Sequence, residues 1–537
     1  MNVTKKMIGV KGIKVFILLL SSISTLFPWI YRKSFSSAIV NAMCIDGNGN
    51  TYLTGSGNSD LIAISVDING NERWVKIIDG YGYFDEGIDI VYKNNAVYIT
   101  GYFMNGNTSA WIVIKLDATN GNIIWQKVVH DYVFGRGYSI VCDDQYVYTV
   151  GNAYLSGTPS GGRFAVFKLN QSDGNIVANY FHKHNPTHYL GEAYDIIYGA
   201  DRNLYVAGTM EGTYTGPDFT VISLNTDLSL RWDRITGTSE ENEYATSIVY
   251  DITSPNFVWA IGSSHNPELT GDWLYQRLRA SDGFPLVNGR LGNDCAIGYE
   301  DDAASDVDCD NYGNAYISGV CKSLYDCNTM DLRVVKLGGN NLLWNYSPNL
   351  PLGHDMAGEI VYANNAVFVA GGLCVRGERP SFAVICLDAS TGQENWNYIY
   401  DPNPNGLGDH CQCVSYFNEY VFAAGIEDND VVLISLSPLG EDSPPHYKKN
   451  EEKNLLTLLP ISSIINNKLN IKFIGFSEYP VHVSLYNSSG KLLYSQKFPF
   501  NSHIIIEEKE IKKIGKGIYF LKIKCGNKKW ENKIIKE

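Results

Sequence analysis

One short phrase recurs at regular intervals along the middle of this chain, and it limits the possible folds more than any other feature. An aromatic residue stands three positions before a glycine eight times: Tyr52 and Gly55, Tyr98 and Gly101, Tyr148 and Gly151, Tyr205 and Gly208, Trp259 and Gly262, Tyr316 and Gly319, Phe368 and Gly371, Phe422 and Gly425. The mean spacing is about 53 residues, a period typical of repeat architectures. A chain of 537 residues is too long for one ordinary domain, and the repeat accounts for that length.

Each copy of the repeat predicts four short strands. An apolar strand such as Ile88–Tyr92 precedes the aromatic–glycine strand, and a third strand such as Trp111–Leu116 follows it. A fourth strand begins with tryptophan in five copies, at Trp74, Trp125, Trp232, Trp344 and Trp396. Antiparallel units of four strands without intervening helices are the blades of a β-propeller. The low charged fraction of 19% and the 51 glycines argue against a coiled coil or a disordered chain.

The number of blades follows from how the ring closes. The eighth copy has only three strands, which end at Leu436, whereas Trp29 precedes Ala42 by the same offset as Trp74 precedes Gly87. We therefore expect Trp29–Lys33 to supply the missing strand and remove the open sheet edge. The predicted fold class is all-β, an eight-bladed β-propeller followed by a small C-terminal β-sandwich, and seven blades are the alternative.

The chain is predicted to have four parts. A signal peptide occupies residues 1–24, because four lysines precede the apolar run Val15–Leu20 and the small residues Ser22 and Ser24 suit a cleavage site. The propeller spans residues 25–436, a Pro-containing linker residues 437–452, and the C-terminal domain residues 453–537. A retained membrane span that reaches Trp29 is the alternative for the N-terminus.

The net charge of −14 is unevenly distributed. Lysines are concentrated before Ser34 and after His446, and the predicted propeller between them is strongly acidic. An acidic surface repels polyanions, so we expect no nucleic-acid binding. The C-terminal lysines are better explained as solvated strand edges than as a nucleic-acid patch.

Two copies contain a longer phrase, Leu116–Trp125 and Leu387–Trp396. It resembles the L-D-A-x-T-G-x-x-x-W tryptophan-docking motif of quinoprotein-like eight-bladed propellers, although Asn120 stands where that family has Thr. The resemblance implies that the five strand-opening tryptophans pack between neighbouring blades. The phrase Asp310–Gly319 also resembles the short bacterial propeller repeats of many secreted proteins.

The last part of the chain contains three phrases in order: a hairpin over Val481–Tyr494, a strand over Gly515–Lys524 and a terminal strand over Asn532–Glu537. These phrases are similar to the type A C-terminal sorting domain of the type IX secretion system, with Asn532 in place of a Lys. The resemblance implies contact with the secretion machinery, export across an outer membrane, and a secreted or cell-surface location. A small β-sandwich of unrelated role is the alternative.

Aligned first strands place four carboxylates at one equivalent position, namely Asp89, Asp195, Asp306 and Glu359; Ser139, Ser247 and Gln412 occupy it in other copies. Innermost strands line the central channel of a propeller, so these carboxylates could converge on a hard cation, with calcium as the candidate. Alternatively, each carboxylate caps backbone amides, which is the interpretation we favour.

A weaker metal candidate lies between two copies, where His182, His184 and His188 share one loop. Three imidazoles could bind zinc or copper if the loop folded back on itself. Irregularly spaced loop imidazoles are more often solvated, which is the alternative.

Catalysis has no positive support in the sequence. Enzymes of the quinoprotein-like family typically use a vicinal Cys-Cys pair over their cofactor, whereas here Gln412 separates Cys411 from Cys413 and no Cys-Cys dipeptide exists. No nucleophile with an adjacent base is recognisable. The predicted function is recognition of an unknown glycan or protein at the cell surface or outside the cell, without a firm cofactor. A secreted quinoprotein-like or polysaccharide-active enzyme, or a scaffold for a surface complex, is the alternative.

Overall fold

The computed structural model divides into two compact units, residues 1–446 and residues 447–537. In the first unit it describes residues 28–130, 134–154, 162–183, 190–211, 216–238, 241–253, 256–265, 271–292, 302–322, 329–348, 353–375, 379–403 and 408–437. In the second it describes residues 457–458, 463–464, 469–474, 481–488, 491–498, 503–506, 517–525 and 528–536. The predicted signal peptide and, apart from Ser437, the predicted linker lie outside the described residues. No segment of the described chain forms a helix that could cross a lipid bilayer.

The first unit consists of four-stranded antiparallel sheets, each numbered here as a blade and described from its innermost to its outermost strand. Blades 1 to 4 comprise β2 (Ala38–Ile45), β3 (Thr51–Gly57), β4 (Asp60–Val66) and β5 (Glu72–Ile78); β6 (Asp85–Lys93), β7 (Ala96–Asn105), β8 (Thr108–Asp117) and β9 (Ile123–His130); β10 (Gly135–Cys142), β11 (Tyr146–Ala153), β12 (Arg163–Asn170) and β13 (Ile176–Phe181); β14 (Gly191–Tyr198), β15 (Leu204–Glu211), β16 (Pro217–Leu224) and β17 (Leu230–Thr236).

Blades 5 to 7 follow the same order, and blade 8 draws its outermost strand from the start of the chain. These blades comprise β18 (Asn242–Asp251), β19 (Phe257–His265), β20 (Trp273–Arg279) and β21 (Pro285–Leu291); β22 (Ala303–Cys309), β23 (Ala315–Lys322), β24 (Met330–Gly338) and β25 (Asn341–Tyr346); β26 (Met356–Ala363), β27 (Ala366–Leu373), β28 (Ser381–Asp388) and β29 (Glu394–Tyr400); β30 (His410–Phe417), β31 (Tyr420–Glu427), β32 (Asp430–Leu436) and β1 (Trp29–Ser34).

The ring closes through β1. This strand pairs antiparallel with β32, from Trp29 opposite Ser435 to Ser34 opposite Asp430. It is the pairing that the offset of Trp29 predicts. All eight sheets therefore have four strands, which confirms the eight-bladed propeller over the seven-bladed alternative.

The core lies between adjacent blades, and the repeated aromatic residues are part of it. All eight are buried. Several pack on an aromatic ring from the innermost strand of the next blade, with ring centroids 5.1–5.7 Å apart: Tyr52 on Tyr92, Tyr316 on Tyr362 and Phe368 on Tyr416 are stacked, and Tyr205 on Tyr250 is tilted. The first half of the repeated phrase is thus a blade-to-blade contact that contributes packing area and aromatic pairing.

The second half of the phrase, the glycine, allows a close approach of two strands within each blade. A Cβ atom at any of the eight glycines would overlap a backbone carbonyl oxygen of the innermost strand. The overlap arises because each innermost strand has a β-bulge opposite the glycine. Only glycine fits there, since it has no side chain.

The turn of the phrase Asp310–Gly319 is organised by its aspartate. Asp310 Oδ1 accepts hydrogen bonds from the amides of Tyr312 and Asn314, both at 2.9 Å, and Oδ2 accepts from the Asn314 side chain at 2.7 Å and the Tyr316 hydroxyl at 3.0 Å. Burial alone would raise the pKa of Asp310, but these four hydrogen bonds lower it below the usual value. The Asp, Asn and Tyr of the phrase therefore form one hydrogen-bonded unit.

Tryptophans on the outermost strands dock onto the next blade. The Nε1 atoms of Trp29, Trp74, Trp125, Trp232 and Trp344 donate to the carbonyl oxygens of Ile68, Ala118, Gln171, Ala280 and Ala389 at 2.9–3.1 Å. Each ring covers a glycine with positive φ in the same turn. Trp396 packs on Phe368 of its own blade. In blade 8 no hairpin turn joins the third strand to the outermost one, because β1 comes from the start of the chain.

The second unit contains two sheets. The three-stranded sheet is formed by β33 (Thr457–Leu458), β35 (Leu469–Ile474) and β38 (His503–Ile506). The five-stranded sheet is formed by β34 (Ser463–Ile464), β40 (Lys528–Lys536), β39 (Gly517–Cys525), β36 (Val481–Asn487) and β37 (Leu492–Phe498). Alternate residues of β36 and β39, including Val481, Val483, Leu521 and Ile523, are buried, so one face of the larger sheet is covered.

Candidate functional site

The innermost strands of all eight blades meet at one central cavity of about 240 Å³. It is lined by Asn41, Ala42, Ile88, Asp89, Tyr138, Ser139, Tyr194, Asp195, Thr246, Ser247, Ser305, Asp306, Gly358, Glu359 and Gln412. The four carboxylates that the repeat alignment places at one position, Asp89, Asp195, Asp306 and Glu359, are all in this set. The structure therefore brings them together.

The β-bulge explains why two successive residues of one strand reach the same cavity. In β6, Gly87 pairs with Gly101 and Asp89 pairs with Thr100, so Ile88 is the extra residue. Successive side chains of a regular strand point to opposite faces, whereas a bulge turns two of them to one side. Ile88 and Asp89 consequently both line the channel. In blade 8 the extra residue of the bulge is Gln412, and it reaches the cavity. The residue that pairs with the second strand just after the bulge, as Asp89 does in blade 2, is Cys413.

The carboxylates link each blade to the next. Asp89 accepts from the amide of Ile140 at 2.8 Å, and Asp195 accepts from Ile248 at 2.9 Å. Asp306 accepts in the same way from Ile360 at 3.0 Å, and Glu359 from Val414 at 3.1 Å. In every case the donor is an innermost-strand residue of the following blade. The amide-capping interpretation thus describes the contacts that these four side chains make.

Serine hydroxyls connect the carboxylates further. Ser139 Oγ lies 3.0 Å from both Asp89 Oδ2 and Asp195 Oδ1, and Ser247 Oγ donates to Asp306 Oδ1 at 2.8 Å. A hydroxyl has one proton, so Ser139 can donate to only one of its two carboxylates at a time. The two groups are close enough to influence each other electrostatically.

Burial raises the pKa of every one of these acids. It raises the pKa of Asp89 to about 6 and that of Asp195 to about 7, where the negative charges of Asp89 and Asp306 add to the effect. The pKa of Asp306 is raised by burial, and that of Glu359 is raised well above its usual value by burial and by Asp306. Burial, the main cause in all four cases, therefore makes the ionised form of each acid costly.

One side of the cavity is aromatic. The rings of Tyr138 and Tyr194 lie 5.7 Å apart. Outside the cavity lining, the guanidinium of Arg136 lies 4.5 Å from the centre of the Tyr102 ring. The Tyr194 hydroxyl donates to Glu192 at 3.1 Å. We call Tyr138 and Tyr194, which both line the cavity, the tyrosine wall. Sequence reasoning missed it, although Tyr138 and Tyr194 directly precede the aligned Ser139 and Asp195.

A second set of acids, also missed, stands four residues before the channel position in several blades. Asp85 accepts from the amides of Gly80 at 2.5 Å and Met104 at 3.0 Å, and Asp355 accepts from Cys374 at 2.9 Å. Asp409 accepts from Asp428 at 2.6 Å. Burial raises the pKa of each of the three to about 6. These side chains fix loops and do not line the cavity.

The histidine candidates are only partly described. His182 is buried, its Nδ1 lies 2.9 Å from the Tyr180 hydroxyl, and its Nε2 lies 3.5 Å from Asp233. His184 and His188 lie outside the described residues. Metal binding by the three histidines stays a prediction.

Two other features are less suited to ligand binding. An open concavity of about 430 Å³ includes Lys115 and Gln171, but Lys115 Nζ and Trp125 Nε1 both donate to the Gln171 carbonyl oxygen, so its polar groups already serve blade docking. Separately, carboxyl oxygens of Asp60, Asp79 and Asp85 lie within 4.8 Å of one another. The Asp85 oxygens in this group already accept backbone amides.

The cysteines near the channel do not form the vicinal pair of quinoprotein-like enzymes. Cys411 and Cys413 flank the bulged residue Gln412, and both are buried. Burial raises the pKa of both thiols well above the usual value. Buried, protonated thiols of this kind are packing residues rather than reactive groups.

Comparison with known proteins bears first on the second unit. Residues 465–537 match the family described as the secretion system C-terminal sorting domain. This unit is a type IX sorting domain. The sorting domain directs the protein to the type IX secretion machinery, and the protein is therefore exported to the cell surface or beyond.

The first unit is similar in fold to solved propellers. The chain aligns with the quinohemoprotein alcohol dehydrogenase of Comamonas testosteroni at 13% identity and a TM-score of 0.53, covering 80% of this chain and 78% of that one. It aligns with the quinohemoprotein alcohol dehydrogenase ADHIIG of Pseudomonas putida HK5 at 11% identity and a TM-score of 0.54, covering 81% and 79%. These likenesses concern the fold. No curated protein matches the chain.

Proposed function

We propose that this exported propeller is a non-catalytic binding protein that recognises its ligand at the central channel. The observation that carries the proposal is the cavity of about 240 Å³ to which every blade contributes a side chain. A concave site with a few convergent polar groups and an aromatic wall is the usual form of a ligand pocket. The eightfold repeat supplies the scaffold, and differences between the copies at the bulge supply the specificity.

The state of the polar groups supports binding rather than catalysis. Each channel carboxylate accepts a backbone amide of the neighbouring blade, which holds it in one orientation. Catalytic acids and bases need a free atom directed at a reacting group, whereas a recognition site needs rigid, preorganised partners. Because the sorting domain takes the protein outside the cell, envelope glycans and surface proteins are the ligands within its reach.

A binding screen of the complete exported chain tests this proposal. The protein would be applied to an array of bacterial and host glycans and to envelope protein fractions, with the Tyr194→Leu variant as the comparison. We expect at least one ligand to be retained by the wild type and released by the variant. Binding that is unchanged in Tyr194→Leu would contradict the channel as the site, and turnover of a captured ligand would contradict the non-catalytic role.

A further inference from the structure

We infer that the central cavity binds an organic ammonium group, held between the tyrosine wall and the channel carboxylates. The inference rests on the proposed function and names the chemistry of the ligand. It follows from three independent properties of the cavity: its charge, its shape and its aromatic side.

The described lining of the cavity contains acidic side chains and no basic ones. Of the 15 described residues that line the cavity, four carry carboxyl groups and none is Lys, Arg or His. The remaining polar groups are hydroxyls and amides, which can accept hydrogen bonds. An ammonium group supplies three donors and one positive charge, and it would relieve the repulsion that Asp89 and Asp306 exert on Asp195.

The side chains on opposite sides of the cavity differ in size, which leaves space for a ligand next to the tyrosines. Blade 3 stands across the ring from blade 7, because there are eight blades in chain order. Tyr138 of blade 3 therefore stands across the channel from Gly358 and Glu359 of blade 7, so a large side chain is opposed by a glycine and a carboxylate. A ligand group entering here would be bounded by an aromatic face on one side and negative charge on the other.

The aromatic side selects an organic cation over a metal ion. A cation near a tyrosine face gains about 0.5–2 kcal/mol from the ring quadrupole. Calcium instead requires six to eight oxygen ligands close around it. Glu359 Oε2 and one oxygen each of Asp89, Asp195 and Asp306 already accept an amide of the next blade, which leaves fewer oxygens for a metal shell.

The size of the cavity limits how much of the ligand it holds. Its volume of about 240 Å³ is below the range of about 300–1,000 Å³ that accommodates drug-sized ligands. It suits a single terminal group, such as the amine of an aliphatic chain or one amino-sugar residue, with the rest of the ligand outside. These two sources share the ammonium chemistry and differ in the group attached to it.

Matched probes test the inference on the complete exported chain. n-Butylamine would be compared with n-butanol, and glucosamine with N-acetylglucosamine, by titration calorimetry and by the shift in melting temperature. We expect each amine to bind at least tenfold more tightly than its neutral counterpart. The stronger amine identifies the source, an aliphatic chain or a sugar. Equal responses to amines and their neutral counterparts would overturn the inference.

Variants separate the cavity from the rest of the acidic propeller. Asp89→Asn retains an oxygen for the Ile140 amide and removes the charge that Asp89 carries at pH values above its raised pKa of about 6. At pH 8 we expect it to weaken amine binding at least tenfold while the melting transition stays cooperative. Asp355→Asn is the matched control, since Asp355 is a buried acid that lies outside the cavity and burial also raises its pKa to about 6. Equal weakening by both variants would refute the site.

Failure of the ammonium inference can be distinguished from failure of the proposed function. If array ligands bind through Tyr194 but are not displaced by either amine, the inference fails and the proposed function stands. If no ligand depends on Tyr194, the proposed function itself fails.

Discussion

Gly208 on β15 lies against the carbonyl oxygen of Glu192 on β14, so closely that a Cβ at Gly208 would overlap that oxygen. The contact exists because β14 has a bulge between Ala193 and Asp195. The same bulge brings Tyr194 and Asp195 together at the cavity. The recurring glycine therefore allows the bulge to form, and the bulge places the side chains that line the cavity.

Gly208→Ala is predicted to destabilise the propeller by about 1–3 kcal/mol, because the added methyl group must displace the backbone of β14. Chemical denaturation followed by tryptophan fluorescence would measure the change. Gly47→Ala is the control, as a Cβ there meets nothing within 4 Å, and its effect should stay within about 0.5 kcal/mol. Similar losses in both variants would show that the bulge contact is unimportant.

Trp232→Ala should cost about 3–5 kcal/mol, as expected for truncation of a large buried aromatic residue. The indole covers Gly283, and its Nε1 donates to the Ala280 carbonyl oxygen at 3.0 Å, so the variant loses packing and a hydrogen bond between blades 4 and 5. Tyr312→Ala removes a ring that is 83% exposed and serves as the control. A melting temperature for Trp232→Ala equal to that of the control would contradict a docking role.

Arg32 on the closing strand contacts two carboxylates of blade 8. It donates to Asp430 from Nε at 3.1 Å and from a terminal nitrogen at 2.6 Å, and it contacts the buried Glu427. Arg32→Ala would leave the Glu427 charge unpaired, and we expect a loss of about 3 kcal/mol. The double variant Arg32→Met with Glu427→Gln should recover most of it. Failure of the double variant to recover, measured by thermal unfolding, would argue that the charge is not the cause.

Stability should rise on mild acidification. Burial raises the pKa of Asp89 to about 6 and that of Asp195 to about 7, above their unfolded values, so the folded chain binds more protons than the unfolded chain between about pH 4 and 7. Unfolding free energy should therefore fall as pH increases through 6 and 7, by at least about 1–2 kcal/mol, since one unit of pKa shift corresponds to about 1.4 kcal/mol. Melting scans at pH 5 and pH 8 would show it, and Asp195→Asn should flatten the profile.

At acidic pH, stability is expected to change with pH in the opposite direction. Hydrogen bonds lower the pKa of Asp46 and Asp310 despite their burial. Their contribution is lost as pH falls below about 4. A stability maximum near pH 5 is the expected sum, and a monotonic loss from pH 8 to pH 5 would contradict the raised channel pKa values.

Calcium is not expected to bind in the channel. Millimolar calcium should shift the melting temperature by no more than the scatter between repeated scans, because the carboxylates are already engaged with backbone amides. A stabilising shift that disappears in Asp195→Asn would establish the cation site that the aligned acids suggested. A shift that disappears in Asp79→Asn instead would place calcium at Asp60, Asp79 and Asp85.

Much of the fold could be predicted because it repeats. The Tyr–Gly phrase indicates a blade, and the offset of Trp29 indicates which strand closes the ring; both depend on local pattern and spacing. The aligned position of Asp89, Asp195 and Asp306 was also readable, since equivalent positions of a repeat share one place in the ring. Their convergence at one cavity follows from the symmetry of a propeller.

The tyrosine wall could not be predicted in the same way. In a regular strand Tyr138 and Ser139 point to opposite faces, and alternation would place only one of them in the channel. The bulge between Gly137 and Ser139 turns both inward. A recurring glycine hints at such a bulge, but which side chains it turns inward depends on strand pairing.

By itself the sequence determined the class of fold, the number of blades and the export of the protein, because these depend on periodicity, strand count and a terminal motif. The tertiary structure decided what the channel is: which acids cap amides, how far burial raises their pKa values, and that Tyr138 and Tyr194 join them. Those properties arise from backbone register and from the exclusion of water between blades, and neither is encoded in any single segment of the chain.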